Sequence, residues 1–412
     1  MDRSVFRNRP FLFILFTAFL AVLGFGVIIP VVPFIVQKYV ASGNTGQVAL
    51  YVGLLTSVYS VCQFFAAPVF GALSDRFGRR PILLFCLGGS AVGYILFGIG
   101  GSLAILFASR IIDGITGGDL GAAFAYVADV TEPQERGKYY GVIGATVGIG
   151  FIVGPTVGGL LSQISLSAPV FFAAGLCIIS MIYGYFVLPE SLKKENRTSD
   201  FSMHHLNPFI QIRYILKKPV MRSLMIVGFF YFFAFSQMAG GFVSVFFKDV
   251  LHWTPKDLGF FFLVLGIGDT FTQGFLTGRL LPKFGTMKLV FSGFLLTGFA
   301  FFMNIFLPVF PYLAFTVVYI IIYAIGSGLF EPSFGGLVSS VASPQEQGRV
   351  QGASQSIQSI CRILGPITAA FLYQINASLP WVSCVIFSLL GTYFLYMHRK
   401  NISSHIQSLP NS

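Results

Sequence analysis

Pro133 to Gly141 reads PQERGKYYG and Pro344 to Gly352 reads PQEQGRVQG, and this pair of strings decides how the chain is built. The same offset carries Gly154 and Pro155 onto Gly365 and Pro366, so Pro133, Gln134, Glu135, Gly137, Gly141, Gly154 and Pro155 all recur in one register. A second register, a few residues shorter, carries Gly71, Leu73, Phe77 and Gly78 onto Gly278, Leu280, Phe284 and Gly285, with basic Arg76 onto Lys283. Such repetition describes two parallel repeats of one plan.

Composition says what solvent the repeats face. Of 412 residues, 55% are hydrophobic and 10% charged, against roughly 25% charged in soluble domains. Apolar runs of about 20 residues recur from Phe11 to Met397 with short polar breaks, and within hydrocarbon a helix satisfies its own backbone. Twelve spans follow, at 11–36, 48–73, 81–101, 103–128, 139–162, 168–189, 220–247, 257–281, 286–308, 310–340, 347–374 and 379–398. The first run is too long for a signal-peptide core and leads directly into the second, so it is expected to be retained. The expected fold is an all-α membrane protein: twelve transmembrane helices in two pseudo-symmetric six-helix bundles, residues 1–189 and 220–398. Between them 190–219 forms a cytoplasmic linker with an amphipathic surface helix from Phe209 to Leu216, and 399–412 forms a cytoplasmic tail.

Basic residues orient the bundle. The polar breaks on one side hold only Lys38, Lys248 and Lys256, while the loops on the N-terminal side hold the remaining basic residues outside the spans. Both termini are therefore expected in the cytoplasm. The net charge of +11 reads as this asymmetry and as contact with anionic lipid, not as nucleic-acid binding. Cys62, Cys86, Cys177, Cys361 and Cys384 all lie in spans without CxxC spacing, and His204 and His205 lack further ligands nearby. No metal, cofactor or enzyme motif is expected.

Gly71 to Pro81 reads GALSDRFGRRP at the turn between spans 2 and 3. Glycines Gly71 and Gly78 permit the turn, Asp75 can accept from a helix N-terminus, and Arg76, Arg79 and Arg80 can reach carboxylates or headgroups. The string resembles the loop 2/3 signature of the major facilitator superfamily, and GRLLPKFG at Gly278 to Gly285 is similar to a degenerate copy with Pro282 in place of the acid. Span 5 carries GFIVGPTVGG, in which Gly150, Gly154, Pro155, Gly158 and Gly159 resemble the exporter motif of that superfamily. GFGVIIPVVP in span 1, with Gly24, Pro30 and Pro33, and RIIDGITGG in span 4 are similar to motifs of its twelve-span drug:proton antiporter branch, as in tetracycline and multidrug efflux proteins. The resemblance implies a cytoplasmic latch at Asp75 and Arg76, a bend in span 5, and a central cavity lined by spans 1, 4, 7 and 10.

Arg110, Asp113, Asp119, Asp269, Glu331 and Arg362 are ionisable groups inside spans, and each is costly there unless it serves a function. Two arginines against four carboxylates leave two acids without a built-in partner, and a carboxyl in that position takes up a proton readily. Arg110 and Asp113 are one turn apart and can pair. Cavity position favours Asp113, Asp119 and Glu331 for proton exchange, with Asp269 and Arg362 as an alternative structural pair. Tyr231, Gln237 and Asn304 are candidate cavity contacts. The many phenylalanines of spans 7 and 8 read mainly as lipid-facing filler.

The chain is expected to be a monomeric, proton-coupled exporter of a small hydrophobic or cationic drug-like compound, embedded in a lipid bilayer; a proton-coupled uptake symporter of a sugar or metabolite and a non-transporting membrane receptor are the alternatives. Reporter fusions at either terminus should be active only in the cytoplasm, and a periplasmic signal from either would invert the topology.

Overall fold

The computed structural model describes residues 9–40, 44–132, 135–192, 194–197, 215–239, 241–342 and 347–408. Among these residues there are helices and no strands. The paired strings at 133–134 and 344–346, the two linker histidines and most of the expected surface helix at 209–216 lie outside them.

The first six spans comprise α1 (Arg9–Ile28) with α2 (Val32–Gln37), α3 (Thr45–Phe77), α4 (Arg79–Ile99), α5 (Leu103–Thr116) with α6 (Asp119–Val130), α7 (Arg136–Leu161) and α8 (Ala168–Val187). The second six comprise α9 (Pro219–Ala239) with α10 (Phe242–Val250), α11 (Pro255–Phe271) continued by a π-helical turn (Thr272–Thr277) and α12 (Gly278–Phe284), then α13 (Thr286–Ile305), α14 (Leu313–Ser340), α15 (Gln347–Ile375) and α16 (Leu379–Ser408). Ten of the described helices are long and apolar enough to cross a membrane by length and composition. The other two spans escape that criterion for visible reasons. Span 4 is split at Gly117 and Gly118 into two short helices, and α15 is rich in Gln and Ser.

Discontinuity is confined to a few places. Span 1 breaks at Ile29 to Val31, where Pro30 cannot donate an amide, and Pro33 opens α2. In span 7 Gly241, at φ 87°, caps the start of α10. Span 8 instead widens into its π turn, a conformation that lodges at functional positions.

Two compact units arise. One contains residues 1–42, 58–207 and 253–263; the other contains 43–57, 208–252 and 264–412. Within the first, α1 packs on α7 and α8, and α4 packs on α5 and α8. Within the second, α9 packs on α15 and α16, and α13 packs on α14 and α16. These pairings are spans 1/5, 1/6, 3/4 and 3/6 and their counterparts six spans later, which is the duplication expressed as packing. The first core gathers Phe11, Ile14, Leu83, Ala122, Tyr126 and Ile143; the second gathers Leu224, Phe294, Phe330, Val338, Leu395 and Ile402.

Glycines set the close approaches. A methyl placed on Gly154 would stand 2.9 Å from the Leu23 carbonyl oxygen of α1, and one on Gly365 would stand 2.9 Å from the Gln237 amide nitrogen of α9. Likewise a methyl on Gly259 would meet the Pro155 carbonyl oxygen at 2.8 Å, and one on Gly53 the Pro366 carbonyl oxygen at 2.6 Å. The repeated Gly-Pro pair thus performs the same packing twice. α7 runs unbroken through Pro155.

Two expectations change. α16 continues through residues assigned to a polar tail, because Ile402 is fully buried against the second core and Ile406 packs beside it. The phenylalanines of spans 7 and 8 divide: Phe233 and Phe261 are buried, Phe229, Phe230, Phe232 and Phe235 are half-buried, with Phe230 meeting Phe387 and Phe232 meeting Phe334, and Phe260 is exposed. The partial cover on α9 comes from α15 and α16.

Gly154→Leu should destabilise the purified protein by roughly 1–3 kcal/mol through forced helix separation, whereas Gly148→Ala, into open space, should leave thermal unfolding in detergent unchanged.

Candidate functional site

Four constellations hold the residues singled out from the sequence. The loop between α3 and α4 is the first. Gly78 ends α3 and caps α4 at φ 108°, and its counterpart Gly285 caps α13 at φ 78°; this region accommodates glycine without the strain a side chain brings. The turn releases the first amides of α4, and the Arg79 amide donates to Glu190 Oε1 at 2.8 Å. Arg79 itself is buried and converges three partners: Asp75 Oδ1 at 2.5 Å, Ser74 Oγ at 2.7 Å and Asp129 Oδ2 at 3.0 Å. Asp129 also accepts from Ser191 Oγ at 2.9 Å, and Glu190 lies 3.9 Å from Arg197. Arg79 is therefore the hub of the turn. Arg76 is exposed above the Phe77 ring, and Arg80 donates to the Tyr185 carbonyl. A methyl placed at Gly71 would meet nothing.

Span 4 supplies the second. Arg110 and Asp113 pair at 3.2 Å, both buried, with the guanidinium 4.6 Å above the Phe97 ring and 5.6 Å from that of Tyr94. Arg110 Nε and Nη2 have no hydrogen-bond partner among the described residues. Gly93 leaves space for Asp113, and Gly24 of α1 leaves space for Tyr94, whose hydroxyl would be 2.6 Å from a methyl there. The span 1 glycine thus shapes the span 4 ion pair. Asp119 opens α6, and its side chain lies outside the described residues.

The third lies in spans 8 and 10. Asp269 Oδ1 accepts from Ser327 Oγ at 2.7 Å, and Oδ2 accepts from Gln273 Nε2 at 2.7 Å. Glu331, one turn further along α14, is its electrostatic neighbour. Neither acid is ion-paired with Lys or Arg among the described residues, and Asp269 is not paired with Arg362, whose Nη2 is 3.4 Å from Ser359 Oγ. Tyr231 stacks on Phe330 at 3.6 Å, and its buried hydroxyl, within electrostatic reach of both acids, has no hydrogen-bond partner among the described residues. Gln237 donates to Ser383 Oγ at 3.2 Å from a fully buried position, and Asn304 is buried near the end of α13.

Span 5 is the fourth. Gly150, Gly154 and Gly158 form the face of α7 that meets α1, while Gly159 faces Pro255 and Gly259 at the start of α11. Sequence reasoning found the acids, the basic turn and the glycines. It missed Asp129, Glu190, Ser327 and Gln273, although Asp129 stands just before the repeated string that begins at Pro133.

Known proteins resemble this chain in sequence and in fold. The model of the family described as Major Facilitator Superfamily matches residues 14–366. Tetracycline resistance protein, class C, of Escherichia coli is 33% identical over 91% of this chain and 93% of its own length. Multidrug resistance protein 2 of Bacillus subtilis (strain 168) is 30% identical over 97% of this chain and 98% of its own. The crystal structure of the human organic anion transporter MFSD10 (TETRAN) is 25% identical, covers 94% of this chain and 99% of its own, and superimposes with a TM-score of 0.69. Duplicated six-span packing, membrane-buried charges and a match along most of the sequence lead to one conclusion: the chain belongs to the Major Facilitator Superfamily.

Proposed function

We propose that this chain exports a small, drug-like molecule in exchange for protons by alternating access, as a multi-pass protein of the cell membrane with both termini in the cytoplasm. The observation that carries the reading is the Asp269 and Glu331 pair. These are two neighbouring acids within the spans, with hydrogen bonds to one of them and no cation on either among the described residues. Such acids can alternate between protonated and charged forms, which a coupled exchanger requires. Asp113 differs, since it is ion-paired with Arg110 at 3.2 Å; we assign that pair to the same coupling pathway, with Asp119 and Arg362 as further members. The drug-like substrate rests on the tetracycline and multidrug resistance relatives.

The turn around Arg79 serves as the cytoplasmic latch, joining spans 2, 3 and 4 to the segment after span 6. Gly150, Gly154, Pro155, Gly158 and Gly159 let span 5 slide or flex against its neighbours, and Pro30 and Pro33 give span 1 its break. The working division is 1–189, linker 190–219 and 220–398, supported by the change of compact unit that falls inside that linker. Tyr231, Gln237 and Asn304 contribute polar contacts near the exchange path. The protein works as a monomer without a cofactor. One charge moved across 100 mV is worth about 2.3 kcal/mol, enough for one or two protons to drive useful accumulation.

Inverted membrane vesicles acidified inside should accumulate tetracycline or a fluorescent drug-like dye, and a protonophore should abolish it. Glu331→Gln or Asp113→Asn should lower that uptake at least about tenfold; intact gradient-driven transport in both variants would sink the coupling assignment. Arg79→Ala, which removes the buried guanidinium that joins Ser74, Asp75 and Asp129, should lower stability by about 1–3 kcal/mol, against a change within about 0.5 kcal/mol for exposed Arg76→Ala, as read by denaturation in detergent.

A further inference from the structure

Ser327 occupies an unusual position in α14. Its Oγ lies 2.7 Å from Asp269 Oδ1 and 2.9 Å from the Tyr323 carbonyl oxygen of its own helix. A hydroxyl carries one proton and two lone pairs, so it donates to one of these acceptors at a time. With Asp269 charged, the serine proton points at Oδ1. With Oδ1 protonated, the new O–H can donate to Ser327 Oγ while the serine proton turns to the Tyr323 carbonyl. Oδ2 accepts from Gln273 Nε2 in either state, first as part of a carboxylate and then as the carbonyl of the acid.

The surroundings hold this geometry. Thr277 Oγ1, in the π turn below Asp269, donates to the Gly328 carbonyl at 2.7 Å, and Thr272 packs where a side chain on Gly328 would stand. Spans 8 and 10 are thus pinned on the other side of Ser327. The titratable groups within electrostatic reach are Glu331 and Tyr323 of α14 and Tyr231 of α9, and no Lys or Arg is paired with Asp269 among the described residues.

We propose that Ser327 is a two-way hydroxyl that lets Asp269 load and unload a proton without losing a hydrogen bond in either state. It is a positioning residue, and its role rests on the proton-coupled reading above. The proton arrives on Oδ1 from water and departs to water. Ser327 keeps its own hydrogen throughout, so nothing is transferred through the serine and only its O–H direction changes. A fixed donor would favour the charged acid alone, whereas a reversible one keeps both states accessible on the same backbone.

Infrared difference spectra of the purified full-length protein, recorded through a pH titration, test this directly. The acid C=O band removed by Asp269→Asn is the Asp269 signal. In Ser327→Ala that band should move to higher wavenumber, because the neutral acid has lost its acceptor, and gradient-driven dye uptake should fall about tenfold, the equivalent of one lost hydrogen bond. Ser327→Thr should restore both, and Ser327→Cys, with its weaker hydrogen bonds, should give an intermediate band if threonine does not fold. An unmoved band in Ser327→Ala would overturn the proposal, as would the absence of any titrating band that Asp269→Asn removes. If that absence accompanied normal proton-driven uptake by the unmodified protein, the serine role would fall and proton-coupled export would stand; uptake indifferent to the gradient would remove both.

Discussion

Each peptide N–H and C=O inside hydrocarbon must find a partner within the protein, and the architecture follows from that demand. Straight helices meet it alone. Where a helix breaks or widens, neighbours must cover the backbone, and this chain concentrates its irregularities in spans 1, 4, 7 and 8. The break of span 4 lies just past the Arg110 and Asp113 pair, and the π turn of span 8 begins just past Asp269. In spans 4 and 8 irregular backbone and buried charge therefore share a helix, whereas Glu331 and Arg362 lie in the unbroken α14 and α15. Both are tolerable only within a protein-lined interior, which is where a transporter keeps its working parts.

Close packing gives the duplication its physical content. Gly154 against α1 and Gly365 against α9, with Pro155 and Pro366 each presenting a carbonyl to a facing glycine, repeat one solution to helix contact in two places. The halves are not equal, however. The first keeps the complete Arg79 cluster, while its counterpart retains the positive-φ glycine Gly285 but has Pro282 where the acid would stand. The second holds Asp269 and Glu331, neither ion-paired with Lys or Arg among the described residues. Symmetry supplies the frame, and the charged clusters depart from it.

The twelve spans were legible because hydropathy at this length scale has one physical meaning, and the repeats were legible because glycine and proline are hard to replace where backbones touch. The ionisable residues within apolar runs were also readable, which is why Asp113, Asp269 and Glu331 stood out. Azimuth was not. Asp269 and Arg362 do not form a pair, since the fold directs Asp269 to Ser327 and Gln273 instead. The hub role of Arg79 was hidden for the same reason: Asp75 is one turn away in sequence, but Asp129 and Glu190 come from distant helices. The helical continuation to Ser408 was missed because Ile402 and Ile406 are sparse apolar residues in a polar stretch, and a few well-placed contacts suffice to dock it.

The Arg79 cluster also has a meaning for biosynthesis. Its members come from the end of span 2, the start of span 3, the end of span 4 and the residues after span 6. As the chain emerges from the ribosome, Arg79 can collect Asp75 early and Asp129 later, but Glu190 reaches the Arg79 amide only once the sixth span has been inserted. Closure of this knot therefore reports that the first half is complete and correctly threaded. Until then Arg79 and its two aspartates lack the partner that completes the turn.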